Sequence, residues 1–123
     1  MPSANLDAAI AAAVDARIVN NGQSCIAAKR FIVAESIADQ FERGFVDRMK
    51  QLKVGDPMDP QTELGPLSTS DAVTSLHAQV RKTIGAGARA LTGGRPISPL
   101  TTLVAATSFA ISTPVAIPMP SSM

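Results

Sequence analysis

The sequence predicts an α/β protein: part of an open parallel sheet carrying helices, followed by a disordered C-terminal tail. Three observations carry this. Strand-like and helix-like segments alternate between residues 31 and 92, the order that builds right-handed crossovers between parallel strands. Phe31-Ile32-Val33 is continuously apolar, the pattern of a strand buried on both faces. Charge also stops abruptly. All 11 basic and 10 acidic residues lie at or before Arg95, whereas residues 96–123 are mostly Ser, Thr, Ala and Pro.

Each element has its own signal. Residues 5–19 read as a helix, because Leu6, Ile10 and Val14 recur at i+4 and alanines fill the other faces. Asp7 sits in the first turn, where the helix dipole favours it. Asn20-Asn21-Gly22 closes that helix with residues suited to left-handed geometry. After the predicted strand at residues 31–33, residues 36–52 form the clearest helix. Ser36 and Asp39 resemble a capping box, and Ile37, Phe41, Phe45, Met49 and Leu52 form one apolar stripe that reads as core.

Residues 53–67 hold Gly55, Pro57, Pro60, Gly65 and Pro66, so no regular element fits, and long ordered loops are often functional. Ser68 or Ser70 can cap a third helix reaching about Ile84, with Val73, Leu76, Val80 and Ile84 on its apolar face. His77 borders that face and reads as a surface or boundary histidine. Gly85 or Gly87 ends the helix. Arg89-Ala90-Leu91-Thr92 is the second predicted strand, closed by Gly93-Gly94. Two short strands and three helices leave sheet edges bare. Residues 1–95 therefore read as part of a domain and residues 96–123 as a neutral tail.

Composition excludes several classes. A net charge of +1 gives no preference for nucleic acid or an anionic membrane. A single cysteine cannot form an internal disulfide and suits a reducing, cytoplasmic setting. The N-terminal residues lack the basic start and apolar core of a signal peptide. No apolar run approaches the roughly 20 residues of a membrane span. One cysteine and one histidine give no metal-binding spacing.

The most informative segment is Asn20-Asn21-Gly22-Gln23-Ser24-Cys25-Ile26-Ala27-Ala28-Lys29-Arg30. Cys25 follows a polar turn and opens a run of helix formers, residues 26–29. At a helix N-terminus, free N–H groups and the dipole favour a thiolate, and Lys29 and Arg30 add positive charge. The residues alone leave two readings open: a reactive thiol, or a small buried hydrophobe.

Residues 20–33, NNGQSCIAAKRFIV, resemble the active-site cysteine segment of the aldehyde dehydrogenase superfamily, most closely its succinate-semialdehyde dehydrogenase branch. The likeness continues in Asn5-Leu6-Asp7-Ala8-Ala9, in Leu52-Lys53-Val54-Gly55-Asp56-Pro57, in Leu64-Gly65-Pro66-Leu67, in Gly85-Ala86-Gly87-Ala88 and in Thr92-Gly93-Gly94. It spans about residues 4–95, and several motifs in order make it specific.

The resemblance implies a fold and a chemistry. The fold would be that family's catalytic domain. The reaction would be NAD- or NADP-dependent oxidation of an aldehyde to an acid through a thiohemiacetal and a thioester. Cys25 would be the nucleophile and its N–H an oxyanion donor, while Asn20, Gly22 and Gln23 would shape the turn that presents it.

Other family parts are not matched. No glutamate precedes Cys25 to serve as the base, and neither the family's cofactor-binding turn nor its downstream ribose-binding segment is found. The chain is accordingly expected to be a fragment, started internally, ended by an unrelated tail and inactive alone. The alternatives are a non-enzymatic remnant, unstable or associated with an intact family subunit, and a free-standing thiol module.

Overall fold

The computed structural model describes residues 5–97 and 111–112. Helix α1 (Leu6–Ile18) begins where Asn5, in extended backbone, accepts a hydrogen bond from the Ala8 N–H at 3.1 Å. That side chain satisfies one of the orphan donors of the first turn. Helix α2 (Glu35–Gln51) starts after Ala34, which makes no side-chain cap. The expected Ser36–Asp39 capping box does not form. Starting at Glu35 places Ser36 inside the first turn, beyond the position from which a hydroxyl can cap it.

Helix α3 (Ser70–Gly85) is capped by Thr69, whose hydroxyl accepts from the Ala72 N–H at 3.1 Å. The cap thus falls between the two serines expected to supply it. Gly87, at φ +100°, turns the chain out of α3 in a conformation that glycine tolerates without steric cost.

The core lies between α1 and α2. Ile10 and Val14 meet Phe45 and Met49, with Leu6, Ala13, Ile18, Phe41 and Leu52 packed around them. These are the i+4 stripes of the two helices. Gly44 permits the close approach: a Cβ there would lie 2.6 Å from Ile10 Cδ1. The third helix contributes Val80 to the buried set, while Ile84, expected on its apolar face, is 42% exposed.

The sheet departs from expectation. Phe31-Ile32-Val33 is not a strand. Phe31 instead packs on α2, its ring 5.1 Å from that of Phe45 and 6.1 Å from that of Phe41. Ile32 is 87% exposed. A strand buried on both faces needs partners along both edges, and none of the described residues pairs with this one. The aromatic contacts fix Phe31 on the helix instead.

Strand β1 (Arg89–Ala90) forms, but it pairs antiparallel with β2 (Ile111–Ser112), Arg89 opposite Ser112 and Ala90 opposite Ile111. The expected parallel sheet is therefore an antiparallel pair among the described residues. The expectation of a disordered tail falls mostly on residues 98–110 and 113–123, outside the described ones. At residues 111–112 it gives way, because the open edge of β1 takes a partner. Arg89 also reaches α2, its Nη2 lying 3.1 Å from Glu42 Oε1.

The long connection at residues 53–67 has no regular element, as expected, yet it is ordered. A parallel bridge joins Val54 to Leu64, and the Lys53 carbonyl accepts from the Glu63 and Leu64 N–H groups at 2.8 and 3.1 Å. Leu64, 1% exposed, anchors the loop to the body.

Phe45 links the α1–α2 core to the Phe31 segment, so its loss should be felt in both. Phe45→Ala is expected to cost about 3–5 kcal/mol, measured as a fall in the urea midpoint followed by circular dichroism. Ile26→Ser, at a residue 81% exposed, should change stability by less than about 0.5 kcal/mol. Comparable losses from the two would contradict this placement of the core.

Candidate active site

The site is built from the C-terminal end of α1. After Ile18 the backbone passes through three consecutive left-handed residues: Asn20 at φ 49°, Asn21 at 57° and Gly22 at 74°. Asn and Gly are the residues that visit this region routinely. The Gln23 N–H donates to the Asn20 carbonyl at 3.0 Å, reversing the chain. A second tight turn follows at residues 24–27, closed by the Ala27 N–H on the Ser24 carbonyl at 3.1 Å and by the Ile26 N–H on Ser24 Oγ at 3.3 Å. Cys25 stands in this turn with its thiol free and exposed. The reading of Cys25 as a buried hydrophobe is excluded. Among the described residues its backbone N–H donates to no acceptor.

No helix begins at Cys25, which corrects the expected N-terminal dipole. Extending a helix over residues 26–29 would direct the Ala28 N–H to Ser24. It donates instead to Ala16, at 2.9 Å. Four residues cannot meet the cost of nucleating a helix without that bond. Lys29 is nonetheless at the turn, its Nζ 3.3 Å from the Cys25 carbonyl and 3.4 Å from that of Ala27. Arg30 is exposed.

Two sets of contacts hold the turn. On one side, Ala28 is tied to α1 through its N–H, and through its carbonyl, which accepts from Arg17 Nη1 at 3.1 Å. On the other side, the Gly65 N–H donates to Asn21 Oδ1 at 2.9 Å, and Gln23 Nε2 reaches the Pro66 carbonyl at 3.5 Å. Gly65 is buried, and a Cβ there would come 3.3 Å from Asn21 Nδ2.

The structure thus places Asn20, Gly22 and Gln23 in the first of two consecutive turns and Cys25 in the second, and docks the pair on the Leu64-Gly65-Pro66-Leu67 segment through Asn21 and Gln23. Sequence reasoning did not single out Asn21 or Arg17. The signal for Arg17 was a cation in the last turn of a helix. For Asn21 it was a polar residue suited to left-handed geometry. His77 is half-buried on α3, and its side chain makes no hydrogen bond or ion pair among the described residues. No group of His, Cys, Asp and Glu among them has the arrangement of a metal site, and no helix there is long and apolar enough to cross a membrane.

The cysteine turn, the alanine-rich helix before it and the ordered loop behind it all fall within the span matched by one protein family. The sequence model of the aldehyde dehydrogenase family matches residues 1–114, past the point where charge ends. The chain belongs to that family.

Similar proteins narrow the branch. The NADP(+) succinate-semialdehyde dehydrogenase of Mycobacterium avium (strain 104) is 55% identical over 97 residues, 79% of this chain and 21% of that protein. The corresponding protein of Mycobacterium leprae (strain TN) is 54% identical over 95 residues, 77% of this chain and 21% of its own length. The chain thus spans about a fifth of these relatives.

Among solved structures, succinate-semialdehyde dehydrogenase from Burkholderia pseudomallei aligns with a TM-score of 0.77 at 31% identity, over 85% of this chain and 22% of its own. Glyceraldehyde-3-phosphate dehydrogenase from Methanocaldococcus jannaschii, complexed with NADP, also aligns with a TM-score of 0.77 at 31% identity, over 88% and 22%.

The Asn21–Gly65 bond can be isolated by substitution. Asn21→Gly keeps the left-handed backbone but leaves the buried Gly65 N–H without an acceptor. It is expected to cost about 1–3 kcal/mol in urea unfolding. Asn21→Asp retains an acceptor and should cost clearly less. Equal losses would mean that the bond does not hold the turn.

Proposed function

We propose that this chain is the cysteine-bearing part of an enzyme that oxidises a small aldehyde, with succinate semialdehyde as the first candidate, to the carboxylic acid. Cys25 is the nucleophile. The observation that supports this most is its presentation: an exposed thiol, in a turn pinned on both sides, beside its own N–H, which is unbonded among the described residues. Residues 1–95 form part of the catalytic domain, in a cytoplasmic protein.

The chemistry begins with attack of the Cys25 thiolate on the aldehyde carbon. A C–S bond forms and the carbonyl π pair moves to oxygen, giving the thiohemiacetal oxyanion. The Cys25 N–H is an oxyanion donor, and loss of one such donor typically costs about 10²–10³ in rate. Asn20, Gly22 and Gln23 set the backbone path that exposes it. Lys29, held on the Cys25 and Ala27 carbonyls, restrains the far side of the turn.

NAD or NADP is the hydride acceptor, NADP being named for the relatives. The described residues do not fit a dinucleotide. A phosphate cradle needs a glycine-rich turn between a strand and a following helix. Here Gly85 and Gly87 follow a helix, and no helix follows Gly93 and Gly94 among the described residues. Hydride acceptance and hydrolysis therefore belong to segments outside this span.

A second reading, association with an intact family subunit, is favoured by the exposure of Ile26, Ile32 and Met58 at 81%, 87% and 86%. Co-purification of tagged chain with a full-length relative, reduced by Ile32→Ser, would support it.

The nucleophile reading is tested by protection. Succinate semialdehyde should slow alkylation of Cys25 by iodoacetamide, followed by mass spectrometry, whereas succinate should not. Purified chain with NAD or NADP should release no reduced nicotinamide, by absorbance. Equal alkylation rates with aldehyde and acid would remove Cys25 as the aldehyde-binding group. Turnover abolished by Cys25→Ala would show that the chain carries more of the machinery than assigned here.

A further inference from the structure

We infer that Arg17 is a positioning residue for Cys25, clasping the two arms of the cysteine turn to the end of α1. The inference rests on the reading of Cys25 as nucleophile and extends it to a residue outside the cysteine motif. Arg17 lies in the last turn of α1 and is half-buried. Its Nη1 donates to the Ala28 carbonyl at 3.1 Å, eleven residues along the chain. Its Nη2 lies 3.1 Å from where a Cβ on Gly22 would stand, so the guanidinium fills the space beneath the left-handed residue that opens the turn. One side chain therefore meets the segment entering the turn and bonds the segment leaving it.

Several features favour positioning over a surface role. Burial lowers the affinity of the guanidinium for its proton from the ordinary value, although an arginine stays charged. Arg17 makes no ion pair with a carboxylate among the described residues. Its hydrogen bond to a backbone carbonyl is charge-assisted, the stronger class. The neighbouring Ala28 N–H bond to Ala16 closes the same junction at 2.9 Å. Together the two bonds make residues 17–28 a closed excursion with Cys25 in it.

The test compares Arg17→Met, which keeps the aliphatic stem without a donor, with Arg17→Lys, which restores one charged donor. Amide exchange of Ala27 and Ala28 reads the turn directly, and α1 amides serve as the internal control. Arg17→Met is expected to raise exchange at Ala27 and Ala28 roughly tenfold with α1 protection unchanged, and to move the alkylation rate of Cys25 toward that of the urea-unfolded chain. Arg17→Lys should recover most of both. Unchanged exchange in Arg17→Met, or no recovery in Arg17→Lys, overturns the inference. If Arg17→Met loses its helical signal, Arg17→Gln, which keeps an uncharged donor, takes its place with the same criteria. Aldehyde protection of wild-type Cys25 is measured in parallel. Its absence would sink the nucleophile reading, whereas the exchange data would still decide whether Arg17 holds the turn.

Discussion

The Ala28 amide has one proton and two carbonyls competing for it. Donated to Ser24, it would propagate a helix from the cysteine. Donated to Ala16, as observed at 2.9 Å, it draws the chain back against α1 and leaves Cys25 in a turn. The second outcome is favoured because three left-handed residues have already reversed the chain and brought Ala28 alongside the end of α1. The cost of that reversal is small only for Asn and Gly. The exposure of the thiol and the reach of Lys29 both follow from this choice of partner.

A turn of this kind has little apolar content of its own and borrows order from its surroundings. Ala27 is its buried hydrophobe. The rest of its stability comes from α1, held in place by the packing of Ile10 and Val14 on Phe45 and Met49, and from the loop at residues 53–67, held by Leu64. Asn21 joins these two supports, since its backbone belongs to the exit from α1 and its Oδ1 accepts from Gly65. The loop is long because it must travel from the end of α2 back to the cysteine turn. Its prolines and glycines keep it irregular, while the Lys53–Glu63 and Lys53–Gln61 contacts close it at its base.

Helices were legible in the sequence because their stripes are local. Leu6, Ile10 and Val14, and Phe41, Phe45 and Met49, repeat at the spacing that places them on one face. The caps were less legible, since Ser36, Ser68, Thr69 and Ser70 are all chemically competent and tertiary geometry selects among them. The strand at residues 31–33 failed for a different reason. Its apolarity is real, but apolar residues can serve a helix face as well as a sheet, and Phe31 packs on Phe41 and Phe45. The cysteine turn was legible as a motif, and Asn20, Gly22, Gln23 and Cys25 do lie together. Arg17 and Gly65 were not, because 11 and 44 residues separate them from their partners in the turn. No local pattern encodes those contacts.

The two supports also differ in physical character, which bears on how the site responds to its surroundings. The Arg17–Ala28 bond is charge-assisted and half-buried, so salt screens it less than an exposed ion pair such as Arg89–Glu42. The Asn21–Gly65 bond is neutral and its donor is buried, so its worth lies mainly in the cost of leaving that N–H unpaired. Neither depends on a carboxylate. Carboxylates enter one step further out, in the loop that carries Gly65: the Lys53 N–H donates to Glu63 Oε2 at 2.9 Å, and the Met58 and Gln61 N–H groups donate to Asp56 and Asp59 at 2.8 and 2.9 Å. The Asn21 clasp therefore rests on a loop shaped by acidic side chains, whereas the Arg17 clasp rests on the end of α1 alone.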